Sequence, residues 1–426
     1  MRVGSAFFGA PSRAWRFGFC ALLCMSVLSC GGGGTLSSGG TSTSGSSSTG
    51  STGSSTSSGS NVVSVVVDAG PTSTSSDVNT LFATVTVCVP GSTTSCQTID
   101  HIQVDTMSYG LRVMASVLTV SLPLQTTNGS SLLECTQFVD GYSWGPVALA
   151  DVQISGESAS SVPVQVIGDS SFSTVPSDCS SIGPAEDTVA AFGANGILGV
   201  GVFAQDCGSG CVSTVDNGLY YACTSTTCQP TAVPLASQVQ NVIAFFATDK
   251  NGVIIQLPAV AAQGAASVTG SMIFGIDTQT NNASGSQTVL TVDPSTAYFT
   301  TVYNGTSLPN SFLDTGSNGL YFNDSSIAQC TGANFTDFYC PSSTLNLSAV
   351  LQGQNGMSAS ENFSVGNAET LGADDPSLVA FSTLAGTYPG TSGTFDWGLP
   401  FYYGRTVYTA LEGVTTSVGT GPYIAF

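Results

Sequence analysis

Two carboxylates in this chain stand in matching surroundings. Asp105 lies in Gln103-Val104-Asp105-Thr106-Met107-Ser108-Tyr109-Gly110-Leu111-Arg112-Val113, and Asp314 in Phe312-Leu313-Asp314-Thr315-Gly316-Ser317-Asn318-Gly319-Leu320-Tyr321-Phe322. Asp, Thr, Ser, Gly and Leu recur at the same offsets. In each copy an apolar residue precedes the Asp, the pattern of a buried strand delivering a carboxylate to its end, and small residues follow to turn the chain. Two carboxylates held close together cannot both readily ionise, so such a pair shares a proton. One can act as base toward water while the other donates to a carbonyl oxygen, and the pKa values belong to the pair. His101 is the only histidine, so acid/base work at such a site falls to the carboxylates.

The elements that must position these carboxylates read as strands. Val62-Val63-Ser64-Val65-Val66-Val67 and Leu81-Phe82-Ala83-Thr84-Val85-Thr86-Val87 are rich in β-branched residues. Pro90-Gly91 ends the second run, a loop ends near Thr98, and Ile99 to Val104 arrives at Asp105. The second half repeats the approach with Ala297 to Tyr303, a turn at Asn304-Gly305, then Ser311-Phe312-Leu313 and Asp314. Helical periodicity is nowhere sustained, so the expected class is all-β, mostly strand with a few short helices, one of them near Pro234 to Phe246. A chain of 426 residues is long enough for two lobes that each bury a core.

An Asp-Thr-Gly-Ser motif after an apolar strand, present intact at Asp314 and altered at Asp105, resembles the pepsin-like aspartic peptidases. Asn195-Gly196-Ile197-Leu198-Gly199-Val200-Gly201 looks like that family's apolar-apolar-Gly segment, which threads beside the active-site loop, and Thr269 to Asp277 looks like the segment opening its second lobe. Phe395-Asp396-Trp397-Gly398-Leu399-Pro400-Phe401-Tyr402, then Tyr408 and the closing Pro422-Tyr423-Ile424-Ala425-Phe426, resemble its final strands. The resemblance covers most of the chain from about Val62 onward. It implies a bilobal fold of two pseudo-twofold related, barrel-like lobes with a cleft between them, here residues 61–265 and 266–426. It also implies an acid-active endopeptidase with Asp105 and Asp314 catalytic and an extended polypeptide in the cleft. Thr106 and Thr315 would tie the two loops together through hydroxyl-to-backbone bonds, Gly316 would allow close backbone approach, and Ser108 and Ser317 would hydrogen-bond the outer carboxylate oxygens. Phe138 to Ile154 resembles the flap hairpin, with Tyr142 and Trp144 as candidates for its aromatic role; the plainer reading is two aromatics packing within a hairpin.

Two departures matter. Met107 stands where the family has Gly, which predicts a shifted loop or a crowded cleft, and Asp396 puts a carboxylate where the family has an apolar residue. Met107 keeps a second reading open: a non-catalytic surface lipoprotein of the same fold that binds a polypeptide or another ligand in the cleft.

The N-terminus carries Arg13 and Arg16, an apolar run from Phe17 to Leu28, then Val27-Leu28-Ser29-Cys30 as a lipobox. This predicts a bacterial lipoprotein signal over residues 1–29 and lipidation of Cys30, hence an exported protein on the outer membrane or cell surface, with the lipid its one membrane contact. Residues 30–60 are the lipidated Cys and a Gly/Ser/Thr-rich tether. Beyond Cys30 the cations are Arg112, Lys250 and Arg405, against 26 acidic residues in the whole chain, a balance that argues against a nucleic-acid partner. Ten cysteines remain beyond Cys30, and their short separations suggest pairing Cys88 with Cys96, Cys207 with Cys211, Cys223 with Cys228 and Cys330 with Cys340, which leaves Cys135 with Cys179. Their irregular spacing and the single histidine argue against zinc. No cofactor is implied, and a monomer is the expected state.

Overall fold

The structure, a computed structural model, describes residues 59–71 and 77–426 apart from 225, 334 and 391. The leader, the lipobox, Cys30 and nearly all of the tether lie outside the described residues. The fold is all-β with barrel-like sheets, 42% strand and 9% helix, and the helical pieces are short throughout. Most strands belong to one 16-stranded and one seven-stranded sheet.

Each carboxylate motif sits in the same local topology. Cys96–Asp105 pairs antiparallel with Leu81–Cys88. On its other side it runs parallel to Gly196–Val200, with Asp105 opposite Gly199. After the loop, Tyr109–Met114 returns antiparallel on the far side of Gly196–Val200, so one inserted strand holds both arms of the loop. In the second half Thr306–Leu313 pairs antiparallel with Phe299–Tyr303 and parallel with Phe395–Trp397, and Leu320–Phe322 returns antiparallel to that inserted strand. A further parallel strand flanks each returning arm, Glu157–Ile167 in the first half and Ala385–Gly386 in the second.

The inserted strands are buried on both faces along their whole length, which is why Gly196–Val200 reads as an apolar run without alternation. Each passes so close to its loop that only glycine fits. A Cβ on Gly199 would lie 2.3 Å from the Tyr109 nitrogen, and one on Gly398 would lie 2.1 Å from the Gly319 carbonyl oxygen.

Val62–Val67 links the two halves, pairing with Leu81–Cys88 and with Val268–Phe274. The expected boundary at residue 265 falls between Gly252–Gln256 and Val268–Phe274, and these two strands pair with each other, so the sheet runs on across it. The expected helix near Pro234 to Phe246 is instead two 3-10 turns, Leu235–Ser237 and Val242–Phe245. Gln238 lies between them and is buried with its side-chain amide donating to the carbonyls of Gly208 and Val233, so tertiary bonds shape this segment. All five cysteine pairings read from spacing are formed.

Beneath the first loop lies a fully buried ionic group that the sequence reading treated only as charge. Arg112 donates to Thr136 Oγ1 at 2.8 Å, to the Tyr109 carbonyl at 2.8 Å and to Glu134 Oε1 at 2.6 Å, with Asp206 Oδ2 at 3.4 Å. Burial opposes the guanidinium's charge, yet Glu134 and Asp206 hold its pKa above the ordinary value. Replacing Arg112 by Met leaves two carboxyls buried without a cation and is expected to cost about 3–5 kcal/mol, read as a lowered denaturant midpoint. Adding Glu134→Gln and Asp206→Asn to that variant should recover most of the loss, because no unpaired charge is left.

Candidate active site

The two motif strands end side by side. Thr106 Oγ1 donates to the Leu313 carbonyl at 3.2 Å, Thr315 Oγ1 donates to the Val104 carbonyl at 2.7 Å, and the Thr315 N–H donates to Thr106 Oγ1 at 3.0 Å. Each threonine therefore binds the strand that delivers the other aspartate, as expected of both. Gln103 adds a bond from its amide to the Gly316 carbonyl at 3.2 Å, and the Tyr402 hydroxyl lies 3.0 Å from Thr106 Oγ1.

This arrangement brings Asp105 and Asp314 together. Asp105 Oδ2 and Asp314 Oδ1 both sit 3.0 Å from the point a Cβ on Gly316 would occupy, so they lie within twice that distance of each other. Asp105 is 3% exposed and Asp314 0%. Asp105 Oδ1 accepts the N–H groups of Met107 at 2.6 Å and Ser108 at 3.0 Å; Asp314 Oδ1 accepts the Gly316 N–H at 2.7 Å. Met107 thus makes the same backbone bond as Gly316, and neither residue has a positive φ. The loop is not displaced at Met107, whose side chain is half-buried against the core. At position 316 the need for glycine is one of space, since a Cβ would lie 2.9 Å from Asp105 Cγ.

The serines differ. Ser317 Oγ donates to Asp314 Oδ2 at 2.9 Å as expected, but Ser108 binds Asp105 through its backbone N–H, and its hydroxyl has no partner among the protein atoms. The inserted strands explain the asymmetry. Asp396 stands opposite Phe312 in the second half and Ile197 stands opposite Gln103 in the first. Asp396 Oδ2 lies 2.6 Å from Ser317 Oγ, whereas Ile197 offers Ser108 nothing polar.

Tyr142 and Trp144 do lie on a hairpin, formed by Ser130–Gln137 and Tyr142–Ile154, but their rings pack into a small separate core with Leu133, Tyr221 and the Cys135–Cys179 disulfide. Trp144 donates its indole N–H to the Phe172 carbonyl. Neither is brought to the aspartates by any of these contacts, and the packing reading of the two aromatics is the one that holds. The aromatic ring at the hairpin's turn is Phe138, set edge-on to Phe192.

Burial, then Asp105, then Asp396, raises the pKa of Asp314 well above the carboxylate range. Burial likewise raises Asp396, with Asp105 adding to it and Ser317 opposing. The residues that reading for a two-carboxylate motif missed are Asp396 as a partner of the site, Tyr402, and Tyr109, whose hydroxyl is pushed up by burial and then by Asp105. Of these only Asp396 carried a signal, as a charge interrupting an apolar run. Cys330, Cys340 and Glu369 lie close enough to hold a metal ion, but the two sulfurs are joined in a disulfide and are not thiolate ligands.

The family of proteins described as "Protein of unknown function (DUF3443)" matches residues 57–426. The chain belongs to the DUF3443 family. The match takes in both carboxylate motifs, both inserted strands and all ten cysteines of the described disulfides. None of the curated proteins matches the chain.

The pKa directions set how stability follows pH in this DUF3443 protein. Asp206, Asp314 and Asp396 keep protons in the folded state that the unfolded chain releases above about pH 4. The folded state then binds more protons, so stability falls as pH rises from about 4 toward neutrality. Asp277 acts oppositely: burial would raise it, but bonds from Ser284 and Ser417 lower it to about 2, so its contribution is lost as pH falls from about 4 toward 2. Melting temperature measured across pH should therefore peak in mild acid, and Asp314→Asn should flatten the decline on the alkaline side of that peak.

Proposed function

We propose that this chain is an acid-active aspartic endopeptidase of the pepsin-like kind, bilobal, exported and tethered by lipidated Cys30 to a bacterial envelope, cutting extended polypeptide laid across the Asp105–Asp314 pair. The observation that carries the reading is the reciprocal threonine tie, which holds two buried carboxyls side by side around Gly316. In the mechanism, Asp314 holds the proton, in keeping with its raised pKa. Asp105, braced by two backbone N–H groups at Oδ1, takes a proton from a water lying between the carboxyls. That water adds to the peptide carbonyl carbon while Asp314 donates its proton to the carbonyl oxygen, giving a tetrahedral gem-diol. The proton gained by Asp105 then passes to the leaving nitrogen, the C–N bond breaks, and a gem-diol proton returns to Asp314.

Purified mature protein incubated with unfolded protein across acidic pH is expected to cleave it, with the cleavage blocked by an aspartic-peptidase inhibitor. Lack of inhibitor-sensitive cleavage at every pH would refute the reading. Asp105→Asn and Asp314→Asn should each lower kcat by about 10³ or more and nearly as far as the double variant, since the two act as one unit.

Met107 favours a second reading, a protein that binds polypeptide without turnover. The unchanged backbone bond to Asp105 weighs for the enzyme, and Met107→Gly is expected to change kcat/KM by less than about tenfold. Cleavage that arises only in Met107→Gly would instead make the parent a binding protein.

A further inference from the structure

Asp396 is fully buried on the inserted strand, on the face opposite the stacked rings of Phe395 and Trp397. Its Oδ2 is 2.6 Å from Ser317 Oγ, while its Oδ1 has no hydrogen-bond partner among the protein atoms. Ser317 Oγ also lies 2.9 Å from Asp314 Oδ2. A serine has a single hydroxyl proton and here faces two carboxyl oxygens, so it can donate to only one of them and must accept from the other. One of those carboxyls is therefore an acid. A fully buried carboxylate anion with a single hydrogen bond and one oxygen left without a partner is strongly disfavoured, which assigns the acid proton to Asp396.

Among the described residues, the groups facing Asp396 from the packed elements include no cation. They are Asp105 and Asp314 across Ser317, Tyr321 on the returning arm, and Tyr388 and Tyr402, whose hydroxyls are all raised first by burial and further by Asp396. Nothing in this set offsets a second negative charge beside the shared one.

We infer that Asp396 is a third, neutral carboxyl of the site, a positioning residue whose O–H donates to Ser317 Oγ and so commits the serine's own proton to Asp314 Oδ2. When Asp396 gives up its proton to solvent, the Ser317 hydroxyl rotates to the new anion and leaves Asp314. Asp314 then loses a donor and gains a like charge nearby, and the pair no longer cycles its proton. The alkaline end of the active pH range is thus set by Asp396 together with the dyad. This inference rests on the aspartic-peptidase reading for its kinetic consequence, but the position of the proton does not.

The test compares the mature protein with Asp396→Asn, whose amide N–H can still donate to Ser317 and cannot ionise. The alkaline limb of kcat/KM against pH should move up by about one pH unit, and the acid limb should stay; an unmoved alkaline limb would overturn the role. Infrared difference spectra of protein labelled with carbon-13 at aspartate supply a readout independent of turnover. One protonated carboxyl band persisting above about pH 5 should vanish in Asp396→Asn, and persistence of that band would overturn the assignment even if no substrate is ever cut. In Ser317→Ala the same band should shift toward that of an unbonded acid, and an unshifted band would equally overturn it should Asp396→Asn fail to fold.

Discussion

The interaction on which the rest of the structure depends is the crossed pair of threonine bonds between the two loops. Thr106 reaches the strand that ends in Asp314, and Thr315 reaches the strand that ends in Asp105. All four groups are buried, so drawing the loops apart leaves donors and acceptors unmade at about 1–3 kcal/mol each. The carboxyls are consequently held together against their own repulsion. Asn79 supports the same join from one side, donating to the carbonyls of Asn318 and Phe381 while accepting the Phe381 N–H and the Tyr403 hydroxyl.

What the fold does with its few cations explains the chemistry of that join. Arg112 is spent in the core on Glu134 and Asp206, and Arg405 is paired with Glu361 at 2.6 Å and set over the Phe401 ring. Neither arginine is paired at the join, where burial raises the pKa of Asp314 and Asp396, which ties both stability and the protonation of Asp314 to the acidity of the surroundings. A chain this acidic also repels itself less as its carboxylates protonate.

The disulfides act at a distance from this centre. Cys135–Cys179 and Cys223–Cys228 frame the small core around Trp144 and Tyr221, which ties the hairpin down close to the turn that carries Phe138. Short loops are closed by the remaining three. Among the described residues no helix is long and apolar enough to cross a membrane.

By itself the sequence determined the strands leading to both aspartates, the duplicated plan and the four short-range cysteine pairs, which left Cys135 with Cys179, because each is a local matter of apolar run, turn residue or short loop closure. The bonds of Thr106, Thr315 and Ser317 were expected from the resemblance of the two motifs to a known family. Only the tertiary structure decided the fate of Ser108, Tyr142, Trp144 and Asp396. Ser108 and Ser317 share an offset but not a neighbour, since the residue facing each comes from a strand about 80 to 90 positions away, Ile197 in one half and Asp396 in the other. Tyr142 and Trp144 show the right alternation for a hairpin, but which core receives their rings was set by disulfides and by Tyr221. The same holds for Pro234 to Phe246, where buried amides take their bonds from distant carbonyls and local propensity gives way.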